Sequence, residues 1–283
     1  MPLFLAPWLS PRARQVLDSI PVGYLDLTGN VHLSLEAPAV LIRTVGDDRD
    51  PAPASQAKRG LSGALAGRLV RELVDHDAPR QPRELTRAAG ISESYTSRLL
   101  DVMTREALIT RNNKEITHID WEGLLRARAA TYDLTGVNSV VPTIARQGVD
   151  EVLRKLQRGA SRHEVLVTGT YAATVLAPLA VGGALMLYVR ASPLIEDVRK
   201  DLALMRAREV NDADVLLLVS PDSAVFIRPE ASLFNGLLGV GISQLALDCL
   251  SGPGRMPAEA EELLAWMRGN EHAWRRPSPR QTP

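Results

Sequence analysis

Cysteine occurs once in the 283 residues, at Cys249. A single thiol excludes an internal disulfide and a cysteine-based zinc site within one chain, and it fits a reducing, cytoplasmic setting. Neither sign of charge is in excess: Lys+Arg and Asp+Glu each number 33, for a formal net charge of +0. That excludes a strongly basic chain that coats nucleic acid through its overall field; counterion release can act only through a few placed cations. Lysine is scarce, at Lys58, Lys114, Lys155 and Lys200. Long apolar runs are missing too. Residues 175–189 are broken by Pro178 and Gly182-Gly183 and are too short for a bilayer. Residues 1–9 lack the basic start and long apolar stretch of a signal peptide. The expectation is a soluble chain of two or three domains, with no membrane contact.

Residues 82–111 carry the strongest local pattern. Pro82 suits a first helical position, where its missing N–H would be unpaired anyway. Leu85 and Ala88/Ala89 lie three and four apart, on one side. Gly90 ends that helix, because glycine enters the left-handed conformation without strain. Ser92 then caps a second helix, 92–106, whose Thr96, Leu99, Val102 and Met103 face inward. Its other side presents Glu93, Ser94, Tyr95, Ser97 and Arg98, groups suited to base edges and phosphates. Residues 107–111 and 115–119 read as strands around the turn Asn112-Asn113-Lys114. Residues 61–75 are expected to supply the supporting helix, with Leu65, Leu69, Val70 and Leu73 on its buried stripe.

Elsewhere, residues 11–20 read as a helix, and 24–28 and 31–35 alternate with period two around Gly29-Asn30, a hairpin signal; 38–43 adds a third strand. The polar, Pro-rich segment 46–59 is a linker. Residues 121–132 look helical. Beyond 138, helices at 150–157, 171–175, 195–205, 242–250 and 258–268 alternate with strands at 164–168, 184–189 and 214–219, an α/β pattern. The fold class is therefore α+β: a small α/β hairpin domain (1–45), a linker (46–59), a central helix-turn-helix with a hairpin wing (60–135), a C-terminal α/β domain (138–276) and a disordered tail (277–283).

Residues 61–130 resemble the winged helix-turn-helix regulators, the run Gly-Ile-Ser-Glu-Ser-Tyr-Thr-Ser-Arg-Leu-Leu-Asp (90–101) matching that family's turn and recognition helix. The resemblance implies duplex DNA as partner, with the helix in the major groove. The outer segments, Tyr-Leu-Asp-Leu-Thr-Gly-Asn (24–30), Val-Thr-Gly-Thr-Tyr-Ala-Ala (167–173) and residues 244–260, are similar to AbiEi-type antitoxins. Those couple a winged domain to an α/β domain and repress their own operons, which implies a toxin protein as a second partner. The N-terminal hairpin piece departs from the simplest antitoxins. A packing module that binds another protein is the alternative to DNA binding.

Three catalytic readings are open. Asp26 and Glu36 have the outline of a metal-dependent nuclease, but the nearest downstream lysine is Lys58, in the linker, so a nuclease-like remnant without activity is expected. Gly169-Thr170 after a strand has the outline of a nucleotidyltransferase, yet the next strand lacks metal-binding carboxylates and Asp212/Asp214 lie far downstream. A degenerate, inert domain of that kind is expected. His32, His76, His118, His163 and His272 have no metal-ligand spacing, and neither a phosphate-binding loop nor a nucleophile elbow is present. Gly236, Gly239 and Gly241 suggest a flexible or closely packed turn, and Ser251 to Arg255 a helix-to-helix turn. The reading is a transcriptional regulator and not an enzyme, with no catalytic, cofactor or metal residues. It acts as a homodimer on a two-part DNA site through Arg87, Ser92, Glu93, Ser94, Tyr95, Ser97, Arg98, Arg111, Asn112, Asn113 and Lys114. The antitoxin is the first alternative, a metal-dependent nuclease or nucleotidyltransferase the second.

Overall fold

The computed structural model describes residues 2–35, 37–48, 60–161, 164–177, 182–230 and 234–278. Glu36, Lys58, His163, Pro178 and most of the expected linker lie outside the described residues. The fold is mixed α+β, and the chain divides into two compact units: Met1–Gly60, Ala78–Leu124 and Ser278–Pro283 form the first, Leu61–Asp77 and Leu125–Pro277 the second. No helix among the described residues is long and apolar enough to cross a membrane.

In unit 1 a four-stranded sheet runs in the order β1 (Leu3–Ala6), β2 (Gly23–Asp26), β3 (Val31–Leu35), β4 (Val40–Thr44). β1 and β2 are parallel and the remaining pairs antiparallel. Helix α1 (Pro11–Asp18) makes the crossover; Ser10 caps it by accepting from the Ala13 N–H at 3.1 Å, and Pro11 occupies its first turn. Leu9, Ala13 and Tyr24 form the core under this sheet. β1 was not expected from the sequence, because four apolar residues between prolines are too few to show a period.

The rest of unit 1 is the pair of helices α3 (Pro82–Ala89) and α4 (Glu93–Arg105), then β5 (Ile109–Asn112) and β6 (Glu115–Ile119). The Gln81 and Glu84 side chains form a reciprocal capping box at α3. Leu85, Leu99, Leu100, Met103, Leu108 and Ile116 are buried between helices and hairpin. The Arg80 main chain exchanges both hydrogen bonds with Ile116, at 3.0 and 2.9 Å, which extends the hairpin by one bridge.

Helix α2 (Ala64–Val74), expected to support α3 and α4, groups with unit 2 instead. The cause is polar as much as apolar. Arg71 donates to the Ala224 and Ile227 carbonyls at 2.6 and 3.0 Å, and Arg228 pairs with Glu72. Its buried side is Ala66, Leu69, Val70, Leu73 and Val74, while Leu65 is 44 % exposed and not on the buried stripe. Helix α5 (Trp121–Ala129) carries the chain back from unit 1 to unit 2 at Leu124/Leu125.

Unit 2 continues with α6 (Leu134–Val137), β7 (Ser139–Ala145), α7 (Val149–Gln157), β8 (Val165–Thr168), α8 (Thr170–Ala173), β9 (Leu185–Val189), α9 (Ile195–Leu202), β10 (Leu204–Arg206), β11 (Val215–Val219), α10 (Ile242–Leu250), α11 (Met256–Gly269) and α12 (Glu271–Trp274). The sheet order is β10-β7-β11-β9-β8, with only β11 and β9 parallel. β8 and β9 are buried throughout and β11 at Val215–Leu218, as continuous apolar strands covered on both faces should be. β7 was missed because it contains Pro142, a residue that argues against an interior strand. The Pro142 carbonyl accepts from Ala207, beyond the end of β10 at Arg206. The side on which Pro142 lacks its N–H is therefore the side where the ladder has stopped. Within the glycine cluster Gly239 is closely packed, a Cβ there lying 2.2 Å from the Phe234 ring, while Gly236 takes φ 84° with open space beside it.

The expected tail 277–283 is also corrected at its start. Ser278 is buried and its hydroxyl donates to the Pro79 carbonyl at 2.6 Å, while Arg275 donates to the Val74 and His76 carbonyls.

A polar knot sits inside unit 2. Asp248 on α10 is fully buried and accepts from Thr168 at 2.6 Å, Gln244 at 2.8 Å, Tyr188 at 3.2 Å and Tyr132 at 3.3 Å. Burial pushes its carboxyl up to about 6 against the pull of these donors. The charge of Asp248 adds to burial in raising both phenols. A carboxyl raised on folding contributes stability that is complete below the ordinary aspartate range and is lost as pH rises through the folded value. Asp248→Asn, neutral at every pH, is therefore expected to gain stability relative to the wild type between about pH 4 and pH 7. Denaturant midpoints measured across that range check it; a difference flat in pH would mean that Asp248 titrates normally.

Candidate nucleic-acid interface

The sequence of α4 sorts its side chains by face. Thr96, Leu99, Leu100 and Met103 are buried, while Glu93, Ser94, Ser97, Arg98, Asp101 and Arg105 are exposed. Gly90 adopts φ 64° at the end of α3, and its N–H and that of Ile91 return to the last carbonyls of that helix. Ile91 is buried, and the Ser92 hydroxyl accepts the Tyr95 N–H at 3.3 Å to start α4. Across the two helices the Thr86 and Thr96 hydroxyls meet at 3.0 Å, and Thr96 also donates to the Ser92 carbonyl. Three residues thus reverse the chain, and two threonines fix the crossing.

The sequence-derived positions fall on this surface in different ways. Ser94 and Ser97 stand outward, and Ser94 lies 3.3 Å from the Ser92 hydroxyl. Ser92 accepts the cap bond with one lone pair, and its hydroxyl shares a proton with Ser94 in one direction or the other. Glu93 is exposed in the first turn, where its charge favours the helix dipole; toward nucleic acid it can only accept, as from a cytosine amino group. The half-buried Tyr95 ring lies under the Arg98 guanidinium, 5.7 Å from centroid to carbon, a cation–π contact that limits where Arg98 can reach. Arg87 is exposed on α3.

The hairpin tip is set by its backbone. Asn113 and Lys114 both take positive φ, 46° and 72°, the pattern of a tight type I′ turn. Asn112, Asn113 and Lys114 are all exposed there. Arg111 is half-buried, held at 2.7 Å by Asp101. An exposed pair of this kind is worth about 0–1 kcal/mol, so a phosphate can displace Asp101 at small cost. Arg83 and Arg105, absent from the sequence-derived set, are exposed as well. Their signal was the helical repeat: Arg83 stands one turn before Arg87, and Arg105 two turns after Arg98.

Among the groups of the catalytic alternatives, Asp26, Thr170 and Asp214 are engaged in hydrogen bonds within the fold. Asp26 Oδ1 accepts from the Thr28 N–H and hydroxyl and the Asn30 N–H, and Oδ2 from the Leu9 N–H and the Asn30 amide, at 2.7–3.0 Å. Burial would raise this carboxyl, but the donors from Asn30, Thr28 and Leu9 together hold it below the ordinary value. Thr170, the residue of the nucleotidyltransferase outline, donates to Glu259 at 2.7 Å. Asp214 accepts the Ala145 N–H. Among the described residues no group of three His, Cys, Asp or Glu side chains could hold a metal ion. Segments 167–173 and 244–260 are tied together by Thr168–Asp248 and Thr170–Glu259.

No protein-family model matches the chain, and no match was found among curated proteins or solved structures.

Asp26 thus holds a turn together. A depressed carboxyl contributes stability above its ordinary pKa and loses it as pH falls through the folded value. Asp26→Asn is expected to cost about 1–3 kcal/mol at neutral pH, with the loss shrinking in acid. Denaturation at pH 7 and in acid measures both; an undiminished loss in acid would contradict the bonded carboxylate.

Proposed function

We propose that residues 82–119 act as a winged helix-turn-helix that binds duplex DNA in a sequence-specific way, and that the protein is a transcriptional regulator. One observation carries the reading: α4 presents a polar ridge, Ser94, Ser97, Arg98, Asp101 and Arg105, on the side opposite the buried Thr96, Leu99, Leu100 and Met103, and the neighbouring hairpin tip exposes Asn112, Asn113 and Lys114. A polar ridge on a rigid, capped helix suits the major groove, and a short cationic tip suits phosphate or the minor groove. Charge supports placement over bulk attraction. Residues 78–124 carry seven basic and seven acidic side chains, so affinity has to come from the few cations that stand outward. Arg98 is the base-reading residue, because a guanidinium pairs with guanine O6 and N7 together. Arg87, Arg111 and Lys114 contact the backbone.

Two copies raise a modest half-site affinity to a useful one. The surface that supports pairing is the outer face of the N-terminal sheet. By the strand register Leu3, Leu5, Leu25, Leu35 and Ile42 share that face, each 37–65 % exposed, and no charged residue of β1–β4 lies on it. A face of aliphatic side chains without charge is self-complementary about a two-fold axis, as an isologous dimer requires.

Two measurements test this. On a site selected from random duplexes, Arg98→Ala is expected to cost about 1–3 kcal/mol, with little effect on unrelated DNA, and Lys114→Ala to weaken all duplexes alike and lower the salt slope by about one. Equal losses for Arg98→Ala on both DNAs would reassign it to phosphate; a protein indifferent to every duplex at low salt would end the reading. In sedimentation equilibrium the protein is expected to dimerise, and Leu5→Glu with Ile42→Glu to leave a folded monomer that still binds a half-site. A wild-type monomer would remove this face from the argument.

A further inference from the structure

Within unit 2 a cavity of about 360 Å³ opens beside α2 and α10. Its wall carries three guanidiniums, Arg68, Arg71 and Arg128, and one carboxylate, Asp222. Arg68 grips Asp222 with two nitrogens at 2.7–3.1 Å, and the Arg71 charge adds to the stabilisation of that carboxylate. Arg71 and Arg128 are 9 % and 5 % exposed. Arg71 donates to the Ala224 and Ile227 carbonyls; Arg128 donates to the Leu61 carbonyl at 2.7 Å and lies over the Tyr132 ring at 5.1 Å. The side chains that line the cavity thus bring three guanidiniums against one carboxylate, an excess of positive charge in the wall itself.

The site is also shaped for Arg128. A Cβ on Gly67 would lie 3.3 Å from Arg128 Nη2, so the glycine lets the guanidinium approach α2 closely. Gln244 reaches the wall from α10 while donating its amide to Asp248, which fixes its orientation. Pockets of about 300–1,000 Å³ with mostly apolar walls and a few fixed polar groups are the usual form of small-molecule sites.

We propose that this cavity binds a compact anion, a phosphate or a carboxylate, with Arg71 and Arg128 as its counter-charges and the Tyr132 ring against its body. A buried pair of cations gains most from a ligand that brings opposite charge into the same low-dielectric space. Binding here stands apart from the DNA reading, since it is measured without nucleic acid.

The test uses the full chain, with inorganic phosphate and benzoate as probes, benzamide as a neutral control and chloride holding ionic strength constant. Thermal unfolding and calorimetry are expected to show a saturable rise with one of the anions and none with benzamide. A response to phosphate assigns a phosphate-bearing ligand; a response to benzoate assigns a carboxylic acid. Thr131→Glu adds a negative charge at an exposed position on the cavity wall and should weaken binding about tenfold or more. Arg71→Gln should weaken binding likewise; if it does not fold, Arg68→Gln, which removes the guanidinium hydrogen-bonded to Asp222, should act in the same direction. No saturable response to either anion, or an unchanged response in Thr131→Glu, would overturn the proposal.

Discussion

Gly90 turns the chain through the left-handed region at φ 64°, and the direction of α4 follows from it. A side chain there would meet the steric penalty that glycine escapes. Once the turn is made, Ile91 anchors it in the core, the Ser92 cap starts the next helix and the Thr86–Thr96 contact holds the crossing. The outward residues of α4 owe their arrangement to this short reversal. The hairpin is bound to the same core through Ile116, whose main chain is paired with Arg80. Outward side chains on a frame of this kind need little ordering on contact with any partner, and ordering is a main cost of recognition.

Sequence was most legible where local rules sufficed. Pro82, Gly90 and Ser92 mark helix boundaries by their own chemistry, and the structure places α3 and α4 within a residue of them. Gly29-Asn30 marked the β2–β3 hairpin in the same way. Legibility failed where partners are distant. β1 and β10 are too short to have a period, and β7 hides behind Pro142, whose tolerance depends on where the neighbouring strand ends. Helix α2 has the amphipathic pattern of a supporting helix, but that pattern does not say which core receives it. The choice is made by Arg71 and Glu72, through bonds to residues about 150 positions away. The cavity wall has no local signature in the sequence for the same reason, since its arginines come from separate segments.

Arginine does two kinds of work in this chain. Arg71, Arg80 and Arg128 are buried, and the first and last of these donate to main-chain carbonyls of distant segments. The planar fork can satisfy several acceptors at once, which suits it to closing gaps between irregular segments. A count of cations therefore overstates what faces solvent. With the formal charge balanced, the local potential is set by the exposed Arg83, Arg87, Arg98, Arg105 and Lys114 together with the exposed Glu93 and Asp101.

The two units are interleaved along the chain. The boundary is crossed at Gly60/Leu61, Asp77/Ala78, Leu124/Leu125 and Pro277/Ser278, so that unit 1 is built of three separate segments and unit 2 of two. No single cleavage releases either one intact, and a fragment that ends after α4 lacks the strands that complete its core. During synthesis α2 emerges well before the segment 224–228 that receives Arg71 and Glu72, so unit 2 cannot finish folding until most of the polypeptide has left the ribosome. A shortened version of the helix pair and hairpin would have to splice residues 1–60 to 78–124, because simple truncation discards one part or keeps an orphaned helix.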